Sequence, residues 1–145
     1  MRPALLAALS IVALLAVGAA SAATIEVKDA WIRTPPPGAP TAAGYATIVN
    51  HAISSDRLTG AYSGAAASVG LHQMSTSGGV MRMRPITGGL ALGASASLSL
   101  SPNGDHLMLT GLKAPLKAGQ HVKIVLQFQR AGNVAADFVV RDAHM

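Results

Sequence analysis

The sequence predicts an all-β fold, an antiparallel sandwich or barrel. No segment after residue 24 keeps a 3.6-residue apolar period over a dozen positions, whereas an apolar–polar alternation of period two recurs along the chain. Short groups rich in Gly, Pro, Asn and Asp separate the alternating segments. Closely spaced turns between short alternating segments are typical of antiparallel all-β domains.

The candidate strands follow one another from residue 25 to residue 140. They are 25–33, 42–50, 57–63, 68–75, 80–86, 97–101, 106–110, 121–129 and 134–140. The clearest alternation is in 121–129, where Val122, Ile124 and Leu126 share one face and the other face is mostly polar. Pro102-Asn103-Gly104-Asp105 predicts the turn of a hairpin, because Asn and Gly tolerate positive φ.

Residues 1–23 have the pattern of a secretory signal peptide. A single charge on Arg2 is followed by a Leu- and Val-rich stretch at 5–17 and then by small residues. The alternative is a permanent membrane anchor, but the last third of the segment is Gly, Ala and Ser rather than Leu or Ile. We expect cleavage after Ala22 or Ala23 and export without a permanent membrane anchor.

Residues 24–145 are expected to form one domain, without repeats or linkers. The composition, 50% apolar and 12% charged, argues against intrinsic disorder. Loss of Arg2 with the signal peptide lowers the net charge from +5 to +4. Because no basic run carries interleaved aromatic residues, this charge favours anionic partners or surfaces over nucleic acid. The chain has no cysteine, which excludes disulfides, thiolate metal sites and lipidation at a cysteine.

Side chains that bind soft metals are concentrated between residues 71 and 109. They are His72, Met74, Met81, Met83, His106 and Met108. Four of them follow the spacing His72-x10-Met83-x22-His106-x-Met108. His106 and Met108 are two residues apart on a candidate strand, so they project from one face. Thioether ligands select Cu(I), whereas Zn²⁺ prefers thiolate, imidazole or carboxylate.

The pattern leaves alternatives open. A methionine in a strand most often packs in a core, so the cluster is also compatible with a structural or adhesive sandwich that binds no metal. Met74 and Met81 are alternate or transfer ligands, or only a hydrophobic rim. His144 and Met145 form a short C-terminal pair of the same residue types. Asp105 is a turn residue or a partner that orients His106.

Motifs for enzyme chemistry are missing from the sequence. It contains neither a G-x-S-x-G nucleophile elbow nor an H-E-x-x-H zinc motif. Its six acidic residues are dispersed along the chain. We therefore predict a binding protein rather than an enzyme.

The sequence resembles the periplasmic copper chaperones of the PCu(A)C type over nearly the whole predicted domain. The matching stretches are Trp31-Ile-Arg-Thr-Pro-Pro-Pro-Gly38, Ala43-Gly-Tyr-Ala-Thr-Ile-Val-Asn50, Asp56-Arg-Leu58, Leu71-His-Gln-Met74, Gly79-Val-Met-Arg-Met-Arg-Pro85, His106-Leu-Met-Leu-Thr-Gly-Leu112, Pro115-Leu-Lys-Ala-Gly119 and Val125-Leu-Gln-Phe128. The family signature is H(M)-x10-M-x21-H-x-M. The second spacing here is one residue longer, and the extra residue falls in the Gly/Ala/Ser-rich connection 88–96.

The resemblance implies a cupredoxin-like antiparallel β-sandwich with Greek-key connections, and a copper site holding one Cu(I). It also implies the four ligands of that site, which are His72, Met83, His106 and Met108. The implied role is delivery of copper to the CuA centre of cytochrome c oxidase subunit II, beside Sco-type proteins, by a monomer. A passive periplasmic copper scavenger or storage protein is the alternative within the copper class.

Overall fold

The computed structural model describes residues 24–143, and these form ten β-strands with no α-helix. The strands are β1 (Ile25–Arg33), β2 (Thr41–Asn50), β3 (Asp56–Tyr62), β4 (Ala66–Ser77), β5 (Val80–Pro85), β6 (Leu90–Leu92), β7 (Ser97–Leu100), β8 (His106–Leu112), β9 (His121–Phe128) and β10 (Gly132–Arg141). The predicted signal peptide and the His144-Met145 pair lie outside the described residues. No helix in the described part of the chain is long and apolar enough to cross a membrane.

Seven of the strands close into a barrel in the order β4-β8-β2-β1-β10-β9-β3, with β3 returning to β4. The closing contact is narrow, a single pair between Ala61 and Val69. The other three strands are additions at the margins: β5 pairs with β4, β6 with β3 and β7 with β2. The pairs are antiparallel except β1 with β10, which is parallel. The predicted all-β sandwich is confirmed.

The barrel interior is filled by the apolar faces that the alternation predicts. On β9, Val122, Ile124 and Leu126 are buried, as is Phe128. On β8, Leu107 and Leu109 are fully buried. Burial of each such side chain contributes about 1.5–3 kcal/mol to folding. Leu107 and Leu109 point inward, and His106 and Met108 alternate with them along the strand. His106 and Met108 therefore lie on the outer face of the barrel wall.

One strand, β6, was not predicted. Its three residues, Leu90–Leu92, pair with β3 inside the segment that the sequence indicates as a Gly/Ala/Ser-rich connection. Gly88 and Gly89 precede it with φ of 86° and 79°. A strand of three residues is too short to show a period, and its flanking glycines read as turn signals.

A β-bulge in β1 determines which side chains reach the outer face. The pairing with β2 shifts register between Lys28 and Trp31, and Asp29 adopts φ of 50°. The extra residue changes the parity of the strand, so Ile25 before the bulge and Ile32 after it both point into the core. Trp31 is thereby turned to the outer face.

The β4–β5 hairpin extends beyond the barrel. Ser77 pairs with Val80, and the two connecting residues Gly78 and Gly79 have φ of 59° and 78°. Positive φ at both positions defines a two-residue type I′ turn, which glycine adopts without steric cost. All six residues of β5 are exposed, and β5 is an edge strand of the sheet.

Candidate metal centre

Two histidines and a methionine meet on the outer face of β4 and β8. His72 and His106 are directly opposite each other in the antiparallel pair, and their ring centroids are 6.1 Å apart. Met108 follows two residues after His106 on the same face, opposite Gly70. His106 is 2% exposed and Met108 is 9% exposed. Three of the four predicted ligands therefore lie together in one patch, with His106 and Met108 buried and His72 half-buried.

The orientation of His106 is set by the turn that precedes its strand. Its Nδ1 lies 3.1 Å from the carbonyl oxygen of Gly104. Because a carbonyl only accepts, Nδ1 carries the proton and donates, which leaves a lone pair on Nε2. That Nε2 is buried and has no hydrogen-bond partner. The Gly104 carbonyl also accepts the N–H of Met74 at 3.3 Å, so it links the β7–β8 turn to β4.

His72 offers a second unpartnered imidazole nitrogen. Its Nδ1 is buried and has no hydrogen-bond partner. The ring lies over Gly70, where a Cβ would come within 3.3 Å of Nε2, so the absence of a side chain at Gly70 makes room for it. Burial, and to a lesser extent the nearby His106, lower the pKa of His72. The imidazole is therefore neutral at neutral pH, the form that binds a metal.

Met83, the fourth predicted ligand, lies at the rim of this patch. In the β4–β5 hairpin it pairs with Met74, whereas His72 is opposite Pro85. Met83 is thus on the same face as His72, but its partner Met74 is two residues closer to the hairpin turn. Met83 is 46% exposed. The structure brings three predicted ligands together on one face and leaves the fourth on an exposed edge strand, opposite the alternate candidate Met74.

A row of aromatic rings continues from His106 along the outer face of the barrel, and the sequence did not predict it. Tyr45 lies 6.2 Å from His106 between ring centroids, and Trp31 lies 4.8 Å from Tyr45. The guanidinium of Arg141 stacks over Trp31 at 4.4 Å. Tyr45 is buried, and this burial raises the pKa of its phenol. The sequence does place an aromatic residue on each of two neighbouring strands, Trp31 on β1 and Tyr45 on β2. That the two share a face could not be predicted, because it depends on the bulge in β1.

Two further histidines and Asp105 lie away from the ligands or have structural roles. His51 contacts the Glu26 carboxylate at 2.7 Å, and His121 contacts the Asp137 carboxylate at 2.6 Å. The carbonyl of Asp105 accepts the Ser101 N–H across the β7–β8 turn, in line with the turn role. The carbonyl that orients His106 belongs to Gly104 instead.

The donor set is neutral and soft. Among residues 24–143 no group of three or more His, Cys, Asp or Glu side chains could hold a metal ion. The site offers imidazole nitrogen and thioether sulfur, without thiolate or carboxylate. Such donors fit Cu(I) better than Zn²⁺, Ca²⁺ or Mg²⁺.

The fold and this face of the barrel place the chain in the class of PCuAC domains. The structure described as "Copper-bound PCuAC domain from PmoF2" has a TM-score of 0.69 and 26% identity, covering 82% of this chain and 93% of that one. "Solution structure of CuI-DR1885 from Deinococcus Radiodurans" has a TM-score of 0.61 and 31% identity, covering 81% and 80%. The apo form of DR1885 from Deinococcus radiodurans has a TM-score of 0.64 and 30% identity, covering 99% and 93%.

The chain belongs to the LpqE-like family. The model of that family, described as "Putative lipoprotein LpqE-like", matches residues 25–140. A relative from Leifsonia xyli subsp. xyli (strain CTCB07), named "Putative lipoprotein Lxx21020", is 33% identical over 118 residues, which is 81% of this chain and 70% of the relative. The resemblance to PCu(A)C proteins and the cupredoxin-like fold that it implied are confirmed.

Proposed function

We propose that this chain is an exported copper chaperone that binds one Cu(I). The ligands are His72, Met83, His106 and Met108. The chaperone acts as a monomer in the periplasm and delivers its ion to the CuA centre of cytochrome c oxidase subunit II, beside Sco-type proteins. It carries and transfers the ion and catalyses no reaction.

The observation that carries this proposal is the pair of unpartnered imidazole nitrogens. His72 Nδ1 and His106 Nε2 are both buried without a hydrogen-bond partner, on rings that face each other across two strands. Buried polar atoms in native proteins are nearly always paired, so two orphans in one patch call for a missing partner. The Met108 thioether on the same face selects a soft ion for that position.

Charge also favours a monovalent ion. Two neutral imidazoles and two thioethers leave Cu(I) with a net charge of +1, and desolvating this charge costs less than desolvating a dication. The copper-bound PmoF2 domain and CuI-DR1885 have the same fold at 26% and 31% identity. These two likenesses support copper as the cargo.

The uneven exposure of the ligands suits transfer rather than storage. His106 and Met108 are buried, while Met83 lies on an exposed edge strand where an acceptor's ligand can reach the ion. Arg82 and Arg84 project from the opposite face of the same strand and are exposed. Positive charge beside a transfer site speeds the encounter with an acidic acceptor.

We propose export without a lipid anchor. The Leifsonia relative is named as a lipoprotein. This sequence contains no cysteine, the residue to which bacterial lipoproteins attach their lipid. Labelling of producing cells with a fatty acid, followed by fractionation, tests this point: an unlabelled periplasmic protein is expected, and a lipid-labelled membrane protein contradicts it.

Transfer to an acceptor tests the chaperone role. The protein lacking residues 1–23 is loaded with Cu(I) under a competing chelator and mixed with a purified CuA domain, whose absorption reports filling. We expect one Cu(I) per chain and its appearance in the acceptor. Binding without transfer supports the scavenger alternative, and absence of specific binding supports the structural sandwich. Met108→Leu is the matched control, since it keeps the packing volume and removes the sulfur.

A further inference from the structure

The face of the β4–β5 hairpin that continues the proposed copper site carries three methionines. Met74 and Met83 are directly opposite each other, and Met81 is opposite Thr76, two residues nearer the turn. Residues opposite each other, and residues two apart on one strand, share a face of the sheet. Met74, Met81 and Met83 therefore form one continuous group, named here the hairpin thioethers.

The hairpin thioethers are close enough to share one ion. Directly opposite residues of an antiparallel pair have Cβ atoms about 4.5–5.5 Å apart, and diagonal neighbours are about 7–8 Å apart. Met74 and Met83 are related in the first way, and Met74 and Met81 in the second. Methionine has three rotatable side-chain bonds, so sulfurs at these separations can converge on a common point.

Core packing does not account for Met81 and Met83, and Met74 is only half-buried. Met81 is 54% exposed and Met83 is 46% exposed, on an edge strand whose six residues are all exposed. Methionine in a strand usually fills a core, and neither side chain does so here. Thioether sulfur that remains exposed next to two unpartnered imidazole nitrogens has a use as a soft-metal ligand.

We propose that Met74, Met81 and Met83 form a second, thioether-only Cu(I) site, through which the ion enters and leaves the site of His72, His106 and Met108. Met83 belongs to both sites. The inference rests on the proposed function, because it assigns the route that the cargo takes. The chemical class of ligand is a soft monovalent cation, Cu(I) or Ag(I).

Movement between the two sites is ligand exchange without a redox step. While Met83 keeps hold of the ion, bonds to the imidazoles and Met108 break, and bonds to Met74 and Met81 form. The ion remains Cu(I) throughout, and the leaving donors are neutral, so no electron or proton has to be supplied. The exposed fraction of the ligands rises along this path from 2% at His106 to 54% at Met81. Because Met83 stays bound throughout, the ion reaches the surface without being released to water.

Methionine methyl resonances test the second site in the whole exported domain. The protein lacking residues 1–23 is labelled at the methionine ε-methyl carbons and titrated anaerobically with Cu(I) to two equivalents. We expect the first equivalent to shift the Met83 and Met108 methyls, and the second to shift Met74 and Met81 and to shift Met83 again, because Met83 is shared between the two sites. In Met81→Leu the Met74 response to the second equivalent is lost, while the Met108 response to the first is retained.

Two results overturn the proposal. One is that Met74 and Met81 do not respond through two equivalents. The other is that Met74 responds equally in the Met81→Leu variant. Failure of the proposed function gives a different signal, since Met108 then does not respond to the first equivalent, whatever the hairpin thioethers do.

The rate of copper release tests the route. Cu(I) transfer from the singly loaded protein to a chelator is followed for the wild type, Met81→Leu and Val80→Ala. Val80 is 53% exposed on the same strand and carries no sulfur, so Val80→Ala controls for loss of exposed apolar surface. We expect Met81→Leu to slow transfer by about tenfold, the lower end of the effect of changing a residue next to a metal site, with unchanged affinity for the first ion. Equal rates in all three proteins overturn the route.

Discussion

At the scale of single residues, the sequence predicts some of the local features on which the proposed site depends and not others. The outward orientation of His106 and Met108 could be predicted, because Leu107 and Leu109 alternate with them and are fully buried. The hydrogen bond from His106 to the Gly104 carbonyl could not, because it depends on the conformation of the turn. That bond leaves the imidazole with a fixed free nitrogen before any ion arrives, and such preorganisation lowers the entropy lost on binding.

Substitutions should separate ligands from neighbours. We expect Met108→Ala or His106→Ala to reduce Cu(I) affinity by about 100-fold or more, above the 10–100-fold typical of residues that only support a ligand. Met74→Ala or Met81→Ala should change the affinity for the first ion far less, since neither residue is among its four proposed ligands. Competition titration with a Cu(I) chelator measures each affinity, and thermal unfolding of the metal-free forms controls for folding. An equal loss for Met74→Ala and Met108→Ala would refute the ligand assignment.

The lowered pKa of His72 predicts a pH dependence for the metal-free protein. The unfolded chain has a histidine pKa of about 6.5. Because the folded pKa is lower, the unfolded state binds more protons as the pH falls below about 6.5, and stability decreases there. The carboxylates of Glu26 and Asp56, whose pKa values are lowered from 4.5 and 3.8, lose their contribution only at more acidic pH.

Chemical denaturation between pH 7.5 and pH 5 measures this effect. We expect the wild type to lose stability relative to His72→Gln below about pH 6.5, because only the wild type has the buried imidazole. Above that pH the difference between the two proteins should be constant. A difference that stays constant down to pH 5 would show that His72 titrates normally in the folded protein.

At the scale of secondary structure, the sequence predicted every strand except the shortest. Alternation located the long strands to within a few residues, because each has one face in the barrel core. It could not locate Leu90–Leu92, because a strand of three residues is too short to show a repeating alternation. It also could not predict that β1 and β10 pair in parallel, since strand order depends on contacts between distant parts of the chain.

Asp56, at the start of β3, connects this strand to the turn between two others. Its carboxylate accepts the backbone N–H groups of Arg57 and Arg130 at 2.8 Å and of Ala131 at 2.9 Å, so it ties β3 to the β9–β10 turn. Burial raises the pKa of Asp56, but these backbone donors, with the Arg130 charge, together outweigh it and hold the pKa below its ordinary value. The carboxylate is therefore charged at neutral pH.

We expect Asp56→Ala to destabilise the protein by about 1.5–3 kcal/mol, the range for hydrogen bonds to a charged group. Asp56→Asn should reduce stability less, because the amide oxygen can still accept some of these backbone hydrogen bonds. Denaturant unfolding at pH 7 measures both variants, and the Cu(I) affinity of the folded forms should be unchanged. A loss for Asp56→Ala below about 0.5 kcal/mol would contradict the role, since that is the size of ordinary surface changes.

At the scale of the whole molecule, the barrel holds a covered pair of imidazoles in its wall and extends an exposed hairpin beside it. Net positive charge accompanies this arrangement: the full sequence carries +5, and cleavage of the predicted signal peptide would leave +4. The exposed Arg82 and Arg84 lie on the hairpin itself. The whole domain is thus suited to approach an acidic acceptor with the hairpin foremost.

Copper transfer to an acidic CuA domain should therefore slow as salt is added. The Debye length falls from about 10 Å at 0.1 M ionic strength to about 3 Å at 1 M, so long-range attraction is largely lost. Arg82→Gln/Arg84→Gln should transfer more slowly at low salt and show a weaker salt dependence. Stopped-flow absorption of the acceptor measures the rates. A rate that is independent of salt in both proteins would exclude electrostatic steering.

X-ray absorption at the copper edge of the protein loaded with one equivalent of Cu(I) tests the central claim most directly. The proposed ligands predict a first shell of mixed nitrogen and sulfur, from the imidazoles of His72 and His106 and the thioethers of Met83 and Met108. In Met108→Leu the sulfur contribution should fall while the nitrogen contribution remains. A first shell of nitrogen and oxygen alone, or of sulfur alone, would contradict the His/Met site.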